Sequence, residues 1–341
     1  MNDFQRYLAE EFVEDYQEGR LTRREALKLI ASVMGSLVLA NSFLAACTAP
    51  PQATATSAPT SAPPPPRTPA LSPSPSSAPT IEPTQAPTTA VPSPPTAAVS
   101  GTVSPDDPAI EAGSIQFPGE GATLLGYLAR PKDAGPFPVV LVCHENRGLT
   151  AHIQDVTRRL AKAGYVALAV DLLSRQGGTD AVGSDQVPGV LSQTSQTSPD
   201  QFVQDFRSGW RYLQGQPFAQ ADQVGMVGFC FGGGITWLVA THMPELKAAV
   251  PFYGPQPPVA DVPDIHAAVL AIYGERDQRI NQGIPAIEAA MLQNNKIFEK
   301  VIYPNADHAF HNDTGSRYNP EAAQDAWARA LAWFEKYLTA P

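Results

Sequence analysis

From about residue 123 onward, short apolar segments alternate with longer segments in which apolar residues recur at helical spacing. The pattern predicts strands at 123–129, 138–143, 165–170, 223–229, 248–252, 268–273 and 299–303. It predicts helices near 151–163, 199–213, 235–242, 281–294 and 320–337. Because the strands are short and uniformly apolar, we expect a mostly parallel sheet with helices on both faces, a doubly wound α/β fold.

Residues 177–196 interrupt this alternation, since they are polar, rich in Gly and Ser, and without periodicity. We expect a surface excursion or a mobile lid there. In a doubly wound fold the chemistry lies in the loops beyond the carboxyl ends of the strands. Those loops are therefore where functional residues are sought.

Residues 1–47 resemble an export and anchoring segment. Thr22-Arg23-Arg24-Glu25 resembles the twin-arginine signal, and the apolar run over 29–46 ends in Leu44-Ala45-Ala46-Cys47, which resembles a bacterial lipoprotein cleavage box. The resemblance implies that Cys47 becomes the lipidated first residue of the mature protein. The alternative is an uncleaved membrane-spanning helix, since the run is about long enough. Either way we expect the rest of the chain on the outer face of the bacterial cell membrane, delivered by the twin-arginine export machinery.

Residues 48–108 are almost wholly Pro, Ser, Thr and Ala. Such a segment buries too little apolar surface to offset its ordering entropy, so we predict a disordered stalk. Residues 109–341 suit one globular domain with one sizeable core, which we expect to be monomeric. The formal net charge of −10 and the lack of a basic stripe argue against a nucleic-acid partner.

The strongest chemical signal is the run Gly228-Phe229-Cys230-Phe231-Gly232, which follows an apolar strand and precedes a helix-like segment. This Gly-x-Cys-x-Gly pattern resembles the nucleophile elbow of α/β-hydrolases, with cysteine in place of serine. A sharp strand-to-helix turn strains its apex residue and leaves no room for side chains two positions away on either side. A phosphate-binding loop and an inert packing cysteine are the alternatives.

A cysteine nucleophile needs a base, and the base needs an orienting acid. Asp277 and His308 each lie in a loop just after a late predicted strand, so the chain order is nucleophile, acid, histidine, as in α/β-hydrolases. We predict that His308 deprotonates Cys230 and that Asp277 fixes the imidazole tautomer. Other acids and bases that remain open are Asp307, Glu275 and His311.

The globular domain, from about residue 113 to 338, resembles the dienelactone hydrolase (carboxymethylenebutenolidase) family. The resemblance is carried by His144-Glu145-Asn146-Arg147-Gly148, Val170-Asp171-Leu172-Leu173, Gly228-Phe229-Cys230-Phe231-Gly232-Gly233 and Asp307-His308-Ala309-Phe310. It implies that Glu145 binds the resting thiol and takes its proton when substrate arrives. It also implies an oxyanion hole made by the backbone N–H groups of Asn146 and Phe231. No cofactor is expected, and no Cys/His spacing resembles a metal site.

The sequence departs from the family at the residues that hold the substrate carboxylate. Members use an arginine four positions after the histidine, where this chain has Asn312, and another in the loop matching 177–196, which contains no arginine. We consider three nearby arginines as substitutes: Arg147, Arg175 and Arg317. Cys143 is predicted to be core packing, although a disulfide with Cys230 is possible.

These observations predict a membrane-tethered, extracytoplasmic, cofactor-free hydrolase of a small-molecule ester or lactone that acts through an acyl-Cys230 intermediate. The alternative is a surface ligand-binding lipoprotein with a catalytically degenerate hydrolase fold. Thiol redox chemistry is a third possibility, but Cys230 lacks a resolving cysteine of the C-x-x-C type.

Overall fold

The computed structural model describes residues 1–48 and 101–339. Eight strands form one sheet: β1 (Ile110–Gly119), β2 (Ala122–Pro131), β3 (Phe137–Cys143), β4 (Val166–Val170), β5 (Ala219–Phe229), β6 (Ala248–Phe252), β7 (Ala268–Gly274) and β8 (Phe298–Tyr303). The described helices are α1 (Asp3–Gln17), α2 (Arg23–Met34), α3 (Leu37–Thr48), α4 (Ala151–Lys162), α5 (Val187–Thr197), α6 (Asp200–Gln214), α7 (Phe231–His242), α8 (Gln278–Asn281), α9 (Ile284–Gln293) and α10 (Pro320–Leu338).

The strand order across the sheet is β1-β2-β4-β3-β5-β6-β7-β8. The β1–β2 and β2–β4 pairs are antiparallel, and all others are parallel. From β3 the chain first adds β4 on one side and then β5 on the other, so the strand order switches direction between the neighbours β3 and β5. The predicted doubly wound α/β fold is confirmed, and β5 ends at the kind of crevice in which such folds bind ligands.

Helices cover both faces of the sheet. A side chain added at Gly225 would meet Phe334 and Leu338 of α10, whereas one added at Gly228 would meet Thr236 of α7. Positions three apart on a strand point to opposite faces, so α10 and α7 lie on opposite sides of β5. Strands β4, β6 and β7 are buried along their full lengths, and β5 is buried from Val224 to Phe229, which explains the uninterrupted apolar sequences there.

Two local expectations were wrong. β1 was missed because its pattern mixes polar and apolar residues: it is an edge strand with only Ile110 and Phe117 buried. Residues 177–196 are also more ordered than a surface excursion, since they contain a short 3₁₀ turn and most of α5. Val187 and Leu191 of α5 are buried.

The first 48 residues form α1, α2 and α3, which belong to the same compact unit as the sheet. Asn2 and Thr22 each make a capping box at the start of a helix, which explains where α1 and α2 begin. Among the described helices, none alone has the length and apolarity of a membrane span. Arg23–Met34 and Leu37–Cys47 meet those criteria only as a pair, with a 118° bend between them. Most of the stalk predicted at 48–108 lies outside the described residues, since residues 49–100 are not described. Its last part was predicted wrongly, because Val103 is buried and its N–H donates to Asp155 at 2.6 Å.

Candidate active site

Cys230 occupies a strained turn between β5 and α7. Its φ of 59° and ψ of −122° are unfavourable for a residue with a side chain, and its N–H donates to the carbonyl of Phe252 at 3.1 Å. A Cβ at Gly228 would lie 2.1 Å from the carbonyl oxygen of Gly232, and a Cβ at Gly232 would lie 2.4 Å from that of His144. The backbone at this turn is thus packed too closely for any residue but glycine, as the elbow pattern predicts.

His308 and Asp277 lie together beneath this turn. Asp277 follows β7, His308 follows β8, and Nδ1 of His308 lies 2.5 Å from Oδ2 of Asp277. The other oxygen of Asp277 accepts the N–H of Ile280 at 3.3 Å. A ring nitrogen of His308 and the sulfur of Cys230 lie within 4.8 Å of each other. The structure therefore brings together the three residues that the chain order singled out.

The electrostatics of the three side chains are coupled. Burial raises the pKa of the Cys230 thiol, although His308 opposes the effect. Burial alone would lower the pKa of His308, but the charge and hydrogen bond of Asp277 raise that pKa well above 6.5. Burial likewise opposes ionisation of Asp277, but the imidazole and Arg279 hold its pKa below the usual range. A charged imidazole is thus stabilised beside the sulfur.

The alternative acids and base do not contact these groups. Asp307 faces Arg276, with 3.6 Å between Oδ2 and the guanidinium, and Glu275 accepts the N–H of Asn305 at 2.8 Å. His311 is stacked on the ring of Phe229, with 5.0 Å between centroids. Burial, followed by the neighbouring His152 and Arg159, holds its pKa well below 6.5, so this imidazole is part of the core.

Glu145 and Asn146 line the same cavity as Cys230, and Phe231 follows Cys230 in the chain. Phe231 is the first residue of α7, where the backbone N–H has no partner within the helix. Asn146 is buried beyond the end of β3, on the wall of the same cavity as Cys230. Glu145 is also buried, which raises its pKa, and its Oε2 accepts the side-chain N–H of Asn312 at 2.8 Å. Asn312, which replaces the family's arginine, thus binds the glutamate itself.

The thiol's hydrogen bond goes to a residue that the sequence did not indicate. The sulfur of Cys230 donates to Glu11 of α1, at 3.6 and 3.5 Å from the two carboxylate oxygens. The hydroxyl of Tyr7, also on α1, lies 3.2 Å from the sulfur and 3.3 Å from His308 Nε2. Sequence analysis assigned this part of the chain to export alone. The signal that could have indicated more is the capped, amphipathic pattern of residues 2–17, ahead of the twin-arginine motif.

A cavity of about 690 Å³ opens beside Cys230. Arg147, which is exposed, and Arg317 both line it. Arg317 is already paired with Asp15 of α1. Arg175 lies elsewhere: its guanidinium binds Asp205 at 2.7 Å, so the structure does not place it among the residues that line the cavity.

The remaining cysteines and histidines take other positions. Cys143 is fully buried at the end of β3, Cys47 is exposed, and none of the three cysteines forms a disulfide. Within the described residues, one group of side chains has the spacing of a metal site: Glu11, Cys230 and His308. Sulfur, nitrogen and carboxylate oxygen form a donor set that Zn²⁺ accepts, but the sulfur and the nitrogen belong to the candidate nucleophile and base described above.

Comparison with known proteins agrees with this geometry. Residues 124–338 match the model of the dienelactone hydrolase family. A protein of Methylorubrum extorquens named as a carboxymethylenebutenolidase is 38% identical over 255 residues, which cover 71% of this chain and 87% of that protein. A protein of the same name from Escherichia coli K12 is 37% identical over 262 residues, which cover 72% of this chain and 94% of that protein.

A solved structure shows the same relationship. The crystal structure assigned as a dienelactone hydrolase from Klebsiella pneumoniae is 38% identical, with a TM-score of 0.62, and the match covers 67% of this chain and all of that one. The matched family and the confirmed α/β-hydrolase fold lead to one conclusion. The chain belongs to the dienelactone hydrolase family and is a carboxylic ester hydrolase.

Proposed function

We propose that the protein cleaves a small ester or lactone through a thioester formed on Cys230, without a cofactor. The observation that carries this proposal is the position of Cys230 at a strained strand-to-helix turn, next to a buried His308–Asp277 pair. The N-terminus of α7 adds to it, because the positive end of a helix favours a thiolate.

The proposed reaction has two halves. The sulfur of Cys230 attacks the substrate carbonyl carbon while its proton passes to His308, directly or by way of Glu145, and the N–H groups of Phe231 and Asn146 bind the oxyanion. The C–O bond then breaks, and His308 protonates the leaving oxygen. In the second half, His308 takes a proton from water, which attacks the thioester and releases the acid and the free thiol.

The substrate class follows from the nucleophile and the cavity. A thiolate is a better leaving group than an amine or alkoxide, so it is readily expelled again after attack on an amide. A cysteine nucleophile therefore favours esters and lactones with good leaving groups over amides. Arg147 is an exposed cation on the cavity wall, and Arg317 is a second one now held by Asp15. An ester or lactone that carries a carboxylate therefore suits the site.

We further propose that the enzyme acts outside the cytoplasm, tethered to the cell membrane. The twin-arginine motif at Arg23-Arg24 and the Leu44-Ala45-Ala46-Cys47 box support this location. In the structure Cys47 is exposed near the end of α3, where modifying enzymes can reach it.

Intact-mass spectrometry of the full chain, incubated for hours with p-nitrophenyl acetate, tests the chemistry. We expect a mass gain of one acetyl group on Cys230, with release of p-nitrophenol. The gain is absent in Cys230→Ser and unchanged in Cys47→Ser, which makes the same substitution at an exposed thiol. A protein that binds ligands but forms neither adduct nor product, both as the full chain and as a chain that begins at Cys47, would be a binding protein with a hydrolase fold.

A further inference from the structure

Helix α1 lies directly against the catalytic cysteine. The oxygen of Tyr7 lies 3.2 Å from the sulfur of Cys230 and 3.3 Å from Nε2 of His308. Tyr7 is only 4% exposed and Cys230 only 2%. The tyrosine hydroxyl is therefore positioned between the nucleophile and the base.

That position is the one a substrate needs. A reacting carbonyl carbon has to come within about 3–3.5 Å of the attacking sulfur, with the leaving oxygen near the histidine. The Tyr7 hydroxyl takes the place of the leaving oxygen. Although the neighbouring cavity is open, an ester inside it cannot reach both Cys230 and His308 while Tyr7 remains in place.

Glu11 acts on the same sulfur from the next turn of α1. The thiol donates to its carboxylate, and the carboxylate charge adds to burial in raising the thiol pKa. A thiol held in this way is neutral, and a neutral thiol is a weak nucleophile. Tyr7 and Glu11 thus oppose the reaction in two ways, one steric and one electrostatic.

The contacts that hold α1 are specific and extend along its whole length. Leu8 and Phe12 are fully buried in the shared core. The guanidinium of Arg279 lies 4.4 Å from the centre of the Tyr7 ring and 3.6 Å from the carboxylate of Glu14. Arg317, a candidate substrate-binding residue, is paired with Asp15. Helix α1 therefore uses the groups that a substrate would use.

We propose that α1 is an autoinhibitory plug that keeps Cys230 unavailable until the helix is withdrawn. The biological consequence rests on the proposed function: cleavage ahead of Cys47 removes residues 1–46, and with them α1. The precursor is then inactive until it has been exported and processed.

The test compares two double variants of the full-length chain. Tyr7→Ala/Glu11→Ala removes the two blocking groups and leaves the buried anchors Leu8 and Phe12 intact. Glu10→Ala/Tyr16→Ala makes the same two substitutions on α1 away from the sulfur. Iodoacetamide alkylation of Cys230 is followed by peptide mass, with the exposed Cys47 as an internal reference, and p-nitrophenyl acetate hydrolysis is measured in parallel.

We expect the first variant to alkylate at Cys230 and to hydrolyse the ester at least about tenfold faster than the parent, the effect of losing one or two hydrogen bonds. The second variant matches the parent. Unchanged alkylation of Cys230 in the first variant overturns the proposal. A fall in both rates, with the circular dichroism spectrum retained, also overturns it, because α1 would then assist catalysis. If Cys230 of the first variant is alkylated faster but neither variant nor the parent hydrolyses the ester, the result supports the plug and contradicts the proposed function instead.

Discussion

His308 Nδ1 lies 2.5 Å from Asp277 Oδ2, and both side chains are completely shielded from solvent. In a buried site such a contact fixes both the tautomer of the imidazole and the direction of its other nitrogen. That nitrogen lies 3.3 Å from the Tyr7 hydroxyl, which lies 3.2 Å from the sulfur of Cys230. The short contact thus determines which atom of His308 is available as a base.

We predict that Asp277→Asn lowers kcat for ester hydrolysis by about 10³–10⁴-fold with little change in fold, because the amide stabilises the wrong tautomer and carries no charge. Asp307→Asn is the matched control, since Asp307 adjoins His308 in sequence but faces Arg276. Steady-state kinetics on both variants decide the assignment. A larger loss in Asp307→Asn would transfer the role of the acid to that residue.

The pH dependence of stability offers a second test of the pair. The folded-state pKa of His308 is raised above 6.5, so the folded protein binds more protons than the unfolded chain above that pH. The stabilisation is complete below pH 6.5 and is lost as the pH rises through the folded-state pKa.

The free energy of unfolding, measured by urea denaturation between pH 6 and 9, should therefore fall more steeply in the parent than in His308→Gln. His266→Gln serves as control, since His266 is exposed, and it should follow the parent. Parallel curves for the parent and His308→Gln would show that the imidazole is not charged in the fold.

The glycines of the elbow make a steric prediction. Gly228→Ala places a Cβ 2.1 Å from a backbone oxygen, and we expect it to destabilise the protein by about 1–3 kcal/mol or more and to abolish activity. Gly113→Ala is the matched control in β1, where a Cβ would meet no atom within 4 Å. Urea denaturation and ester hydrolysis measure the two effects. A stable, active Gly228→Ala protein would contradict the close packing described here.

The sequence sufficed for the central sheet and for selecting Cys230, Asp277 and His308, which the structure brings together as the candidate nucleophile, acid and base. Buried parallel strands leave an uninterrupted apolar signal, and the loops after them contain few reactive side chains. β1 could not be found in this way because an edge strand buries only part of one face. Likewise, α5 is packed by Val187 and Leu191, which are too few apolar residues to give a periodic signal.

The contacts of the site were less predictable than its members. Glu145 was identified, but its bond to Asn312 depends on a side-chain orientation that no spacing reveals. The contacts of Tyr7 and Glu11 with Cys230 join residues more than 200 positions apart in the sequence. The export motif at Arg23-Arg24 also gave a sufficient explanation for the apolar residues of the first 47 positions, so no contact with the active site was predicted there.

Processing at Cys47 connects the location of the enzyme with its activity. When the full gene is expressed in a bacterium fed an alkyne fatty acid, we expect Cys47 of the parent and of Thr48→Ser to be labelled, and Cys47→Ser to remain unlabelled, because only a thiol accepts the lipid at this box. Peptide mass spectrometry should show that labelled chains begin at residue 47.

Chains that begin at residue 47 lack α1, so their hydrolysis rate per molecule should exceed that of the Cys47→Ser precursor by at least about tenfold. This is the same factor expected for loss of the Tyr7 and Glu11 contacts. Labelled chains that still begin at residue 1 would contradict cleavage, and equal rates in processed chains and precursor would show that α1 does not restrain the enzyme.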